Sequence, residues 1–196
     1  NWREVVPPSD DVFIAGFGVA RDFWWMVERA EGSKRVRVVP GGHESAADGR
    51  VVTFPDPAFT VSVSGGHQWD RPTLRLVYES PARPRTWYDY HVAASRLDVV
   101  QETKVPGHDP AEYVVERLWA TAKDGVKVPI SLVRHRDTQA HGQAPLLLYG
   151  YGSYGMSMDA GFSANRIPFL RRGMAWAIAH VRGGGGEGPK RDGTGK

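Results

Sequence analysis

Pro145-Leu146-Leu147-Leu148-Tyr149-Gly150-Tyr151-Gly152-Ser153-Tyr154-Gly155 is an unbroken apolar run that opens into a loop of glycine and tyrosine. The run has strand length and no polar alternation, so it reads as a strand buried on both faces. Downstream, 163–172 carries Ile167, Phe169 and Leu170 in a helical stretch. Arg171-Arg172 there suits the negative end of the helix dipole, and Gly173 is placed to cap the C-terminus. The stretch 174–181 is a second apolar strand. Strand, helix, strand with apolar strands is α/β architecture.

The loop is formally Gly-x-Gly-x-x-Gly, the dinucleotide fingerprint. That fingerprint requires a helix to open at once and an acidic residue about twenty positions on. Here the helix starts late, and no Asp or Glu lies between Gly161 and Arg182. NAD and FAD are therefore disfavoured. A second glycine cluster, Gly183 to Gly186 with Glu187 and Gly188, also fails as a phosphate loop. Pro189 separates Gly188 from Lys190, and Arg191 stands where Ser or Thr would hold magnesium. No cofactor is expected.

Upstream, 113–122 and 126–134 flank Lys123-Asp124-Gly125, a strong hairpin signal. The Pro/Gly-rich stretch 105–110 is the candidate boundary between residues 1–108 and 109–196. Everything before it reads as strands. A first set covers 11–17, 23–29, 34–39 and 50–54, with Glu31-Gly32-Ser33 as a hairpin break. A second set covers 59–63, 73–79, 86–91 and 96–101. Within 73–79, Leu74, Leu76 and Tyr78 alternate with Arg75, Val77 and Glu79, the pattern of a strand with one buried face. Two groups of four short strands, offset by roughly 45–50 residues, match the size of propeller blades. A β-sandwich has the same local signature, so both architectures stay open on periodicity alone.

The chain of 196 residues is 41% hydrophobic and 24% charged, a globular composition. It has no cysteine, which excludes disulfides and thiolate metal sites. That suits a reducing compartment, and the expectation is cytoplasmic, or periplasmic if a signal peptide preceded Asn1. No run approaches membrane-span length. The net charge of +3 divides into −2 for residues 1–110 and +5 for 111–196, with basic residues scattered. Nucleic-acid binding, which needs them clustered and interleaved with aromatics, is not expected. The histidines His43, His67, His91, His108, His135, His141 and His180 show no metal-ligand spacing. No Gly-x-Ser-x-Gly elbow occurs: Ser153 has Tyr151 two residues before it, and Ser163 has Asn165 two residues after.

Taken together, the hairpin around Asp124-Gly125, the run Leu146 to Gly155 and the run Ala177 to Gly185 resemble the prolyl oligopeptidase family of serine peptidases. Ser153-Tyr154 and His180-Val181 look most like its oligopeptidase B members. The resemblance implies that residues 1–108 are the last two blades of a β-propeller. It implies that 109–196 are the first strands and helix of an α/β-hydrolase domain, with the Ser, Asp and His of the triad beyond Lys196. It places Tyr151 where the family has a tyrosine that hydrogen-bonds the oxyanion, and Tyr154 at a substrate-pocket aromatic. Both tyrosines could instead pack between strand and helix. A phenol is a neutral donor at working pH, and flanking glycines leave Tyr151 uncrowded. The implied activity is hydrolysis of short peptides after Arg or Lys. A post-proline enzyme and a non-catalytic propeller module are the alternatives. The chain departs from the family after Gly185, where an additional glycine precedes Glu187-Gly188-Pro189. Oligomeric state is left open, and the chain alone is expected to be inactive.

Overall fold

Glu31 and Gly32, at φ 51° and 71°, form the two-residue loop that joins β2 (Phe23–Ala30) to β3 (Ser33–Pro40). Both residues at positive φ give the turn whose twist matches an antiparallel hairpin. The structure, a computed structural model, describes residues 4–43, 45–65, 68–138, 142–154 and 156–183. β1 (Phe13–Val19) and β4 (Arg50–Val51) flank this hairpin in a plain up-and-down sheet. A second up-and-down sheet follows: β5 (Thr60–Val63), β6 (Thr73–Glu79), β7 (Thr86–His91) and β8 (Arg96–Glu102).

The two sheets share one core. Leu74 and Leu76 on β6 point inward with Val61 and Tyr90, and meet Phe23, Trp25, Val36 and Val38 of the first sheet. The alternation read from 73–79 is therefore borne out, with Arg75, Val77 and Glu79 on the half-exposed face. Strand β4 is shorter than the 50–54 expected. Phe54, beyond its end, stacks on Tyr78 with ring centroids 4.6 Å apart. Each sheet also pins a carboxylate between two arginines. Glu28 takes Arg35 at 2.5 Å and Arg37 at 2.6 Å, and Asp89 takes Arg75 at 2.6 Å and Arg71 at 2.9 Å. Burial opposes ionisation of Glu28, but the Arg37 and Arg35 bonds outweigh it and hold its pKa below the ordinary value.

Beyond 103–112 the sheet type changes. β9 (Tyr113–Thr121) and β10 (Lys127–His135) form the expected hairpin; β11 (Leu146–Gly150) comes next. The chain then makes a small hairpin, β12 (Gly152–Ser153) with β13 (Met156–Ser157), and a short helix α1 (Ile167–Arg171) that ends at Gly173. It returns as β14 (Ala175–Ala179), which lies parallel to β11 and antiparallel to β10. The sheet order is β11-β14-β10-β9, so the last strand inserts between the second and third. Ile167 and Leu170 of α1 pack with Ala82, Tyr113 and Val133. Strand, helix, strand is thus observed as predicted from 145–181.

One expectation is corrected. The run 145–149 does not form a strand buried on both faces: Leu146 is 52% exposed and Leu148 56%. β11 is the outermost strand of its sheet, and α1 covers β10 and β14 instead. Apolar side chains on β1 (Phe13, Phe17, Val19) are likewise exposed among the described residues. No helix among the described residues is long and apolar enough to cross a membrane.

Candidate functional site

Parallel pairing of β11 with β14 aligns Gly150 with Ala179, so both strands release their chains at the same edge. In open α/β sheets, ligands bind in the crevice beyond such carboxyl ends. Tyr151 is the first residue past β11 and is half-buried. Gly152 follows it under a tight constraint. A Cβ there would lie 2.6 Å from the Arg182 carbonyl oxygen and 2.7 Å from that of Val181. Only glycine lets the loop lie on the backbone beyond β14, so this glycine is a contact requirement.

The loop then turns through Tyr154, at φ 54° and 92% exposed. Tyr151 and Tyr154 therefore share one loop but differ in setting. Among the described residues the loop after β11 runs into a β-hairpin and not into a helix N-terminus, the element on which the dinucleotide fingerprint seats a pyrophosphate. The glycine cluster beyond Gly183, with Glu187 and Lys190, lies outside the described residues, as do His67 and His141. Among the described residues no group of three potential ligands could hold a metal.

Asp159 ends the loop. Its carboxylate accepts from Lys34 Nζ at 2.5 Å, Arg29 Nη2 at 2.9 Å and Thr60 Oγ1 at 3.2 Å. Burial alone would raise its pKa; the Lys34 bond and the charges of Arg29 and Lys34 outweigh burial and lower it. Arg29 also donates to the Ser157 hydroxyl.

His180 leaves the neighbouring strand end and is 2% exposed. Its Nε2 lies 2.7 Å from Ser131 Oγ on β10. A serine beside a histidine is the arrangement of nucleophile and base. Ser131 is also only 2% exposed, however, so the pair is a buried hydrogen bond that joins β10 to the end of β14. Desolvation, helped by the Arg117 charge, pushes the His180 pKa down to about 4, which keeps the ring neutral. Gly32 sits on this ring, since a Cβ there would lie 2.5 Å from His180 Cβ. Arg117 holds the same hairpin tip, donating to Ser33 Oγ at 2.5 Å and to the Glu31 carbonyl. Farther out, Arg182 pairs with Asp124 at 2.7 Å.

Sequence reading found the two tyrosines but missed Asp159, Ser131 and His180 as partners. Asp159 carried a usable signal, because it is the lone charged residue in 150–165. The Ser131–His180 contact bridges 49 positions, and nothing local announces it.

Comparison with known proteins follows from this geometry. The family described as "Prolyl oligopeptidase, N-terminal beta-propeller domain" matches residues 1–103, so the two up-and-down sheets are propeller blades. Dipeptidyl aminopeptidase BI of Pseudoxanthomonas mexicana is 37% identical over 94% of this chain and 25% of its own length. Protease 2 of Moraxella lacunata is 32% identical over 93% of this chain and 24% of its length. Among solved structures, oligopeptidase B from Trypanosoma brucei with covalently bound antipain superimposes with a TM-score of 0.83 at 39% identity. That match covers 97% of this chain and 28% of the other. The chain thus spans about a quarter of the length of the curated relatives it matches. With a propeller-blade pair, a mixed sheet beyond it and these relatives, the chain belongs to the prolyl oligopeptidase family, close to oligopeptidase B.

Proposed function

We propose that the longer protein carrying this chain is a serine oligopeptidase that cleaves short peptides through an acyl-enzyme, and that Tyr151 stabilises the oxyanion. On this reading residues 1–108 are blades of the propeller that restricts access. Residues 109–196 begin the α/β-hydrolase domain. When a serine oxygen bonds to the scissile carbonyl carbon, the carbonyl π pair moves onto oxygen. The charge that develops needs a preorganised donor. The Tyr151 hydroxyl can supply it without giving up its proton. The observation that supports this most is the place of Tyr151: first past the carboxyl end of β11, on a backbone fixed by the contact of Gly152 with Val181 and Arg182. Tyr154, exposed on the same loop, is free to meet a substrate side chain.

The relatives include both oligopeptidase B and prolyl endopeptidase, so specificity is the point to measure. Matched short peptides with Arg, Lys or Pro before the scissile bond should be hydrolysed by the full-length protein in the order Arg and Lys well ahead of Pro. A preference for Pro would reverse the specificity half of the proposal. A fluorophosphonate should label the full-length protein on one serine and leave the 196-residue chain unlabelled, since no nucleophile elbow lies within it. Stoichiometric labelling of the 196-residue chain would place the nucleophile here and overturn the assignment.

A further inference from the structure

The loop that carries Tyr151 has little core of its own. Between Tyr151 and Asp159 the described residues pair in the short β12–β13 hairpin, Ser157 takes a bond from the blade residue Arg29, and Tyr154 and Met156 are exposed. Its geometry therefore depends on residues outside it that hold Gly152, Ser157 and Asp159. The far end is held by Arg29, Lys34 and Thr60, which precede Asp159 by 130, 125 and 99 positions and belong to the two blades. The backbone nitrogen of Phe162, just beyond, donates to Glu79 of β6 at 3.4 Å. The near end rests, through Gly152, on the backbone of Val181 and Arg182. That backbone continues directly from His180, on whose ring the blade residue Gly32 sits.

Both supports converge on one element of the propeller, the β2–β3 hairpin. Arg29 lies on its first strand, Gly32 at its tip and Lys34 on its second strand. We infer that this hairpin is a positioning device for Tyr151, and that Asp159 is the residue through which the blade fixes the oxyanion donor. The inference rests on the oxyanion reading of Tyr151 given above. Charge-assisted bonds from two cations are strong and directional. Losing the carboxylate would leave Arg29 and Lys34 as partly buried like charges facing the loop, with nothing to draw the two together. Asp159 touches no reacting atom and acts only through where it holds the chain. Displacing a catalytic group by a fraction of an ångström to one ångström is enough to slow a reaction markedly.

The test is a kinetic cycle in the full-length protein on a short peptide substrate. Asp159→Asn should lower kcat by about tenfold with KM nearly unchanged, a loss of placement and not of binding. In a Tyr151→Phe background the same substitution should cost almost nothing more, because there is no donor left to misplace. Lys34→Met, which removes the more exposed of the two cations, should show a smaller loss with the same non-additivity, and decides the matter if Asp159→Asn does not fold. If Tyr151→Phe slows the enzyme while Asp159→Asn and Lys34→Met do not, the positioning role is wrong and the Tyr151 reading stands. If they slow it equally in both backgrounds, Asp159 acts by some route other than Tyr151 and the inference fails. If Tyr151→Phe itself leaves kcat intact, the oxyanion reading falls and takes this inference with it.

Discussion

Tyr151→Phe in the full-length protein is expected to reduce kcat by about 10²–10³, with little change in KM. The substitution keeps the ring, and with it the half-buried packing of the residue beyond β11. It removes one oxygen and the bond that oxygen can donate. A donor aimed at charge that exists only in the transition state contributes to kcat and not to ground-state affinity. A packing role predicts the opposite pattern: the ring alone would suffice, and turnover would be unchanged. Steady-state kinetics on a short peptide amide separates the two. Unchanged kcat would remove Tyr151 from the mechanism.

The second large effect concerns pH and His180. The ring is buried and neutral, with its pKa lowered to about 4 by desolvation first and by the Arg117 charge next. Asp159 opposes that shift, and Arg29 adds to it. Because the folded pKa lies below the unfolded value, the unfolded chain binds the proton more readily as pH falls. The stabilisation is complete above the unfolded pKa of 6.5 and is lost as pH falls from there toward 4. The expected loss is about 2 kcal/mol between about pH 7.5 and 5. Asp159 and Glu28 do not obscure it. Their pKa values are lowered, so their contribution is present above the ordinary carboxylate range and starts to be lost only as the pH falls into it, below this window. Denaturant midpoints of the wild type and a His180→Gln variant across this window measure the effect as a difference. Equal pH slopes for the two proteins would show that His180 is not buried as a neutral ring.

What the sequence revealed followed from local physics. Leu74, Leu76 and Tyr78 alternate because one face of β6 is buried, and that pattern survives in any context with a one-sided core. Glu31-Gly32 and Asp124-Gly125 announced their hairpins because few residues accept positive φ. Arg171-Arg172-Gly173 marked a helix end for the same class of reason. The exposure of β11 in this chain could not be read locally, because an apolar run states which side chains avoid water and not which neighbour covers them. The ties of Asp159 to Arg29 and Lys34 were invisible for another reason. They depend on a blade hairpin arriving at the end of a sheet formed more than a hundred residues later, and no local window contains both partners. Of the site, Tyr151 was legible through its place after an apolar run; its supports were not.

The most direct test of the central claim is the affinity of a reversible peptide aldehyde, whose adduct with the nucleophile carries the oxyanion, for the full-length wild type and for Tyr151→Phe. If Tyr151 donates to the oxyanion, the inhibition constant should rise by about 10²–10³, in step with the loss in kcat/KM, while a peptide lacking the aldehyde binds both proteins alike. Equal aldehyde affinity for the two proteins would contradict the account.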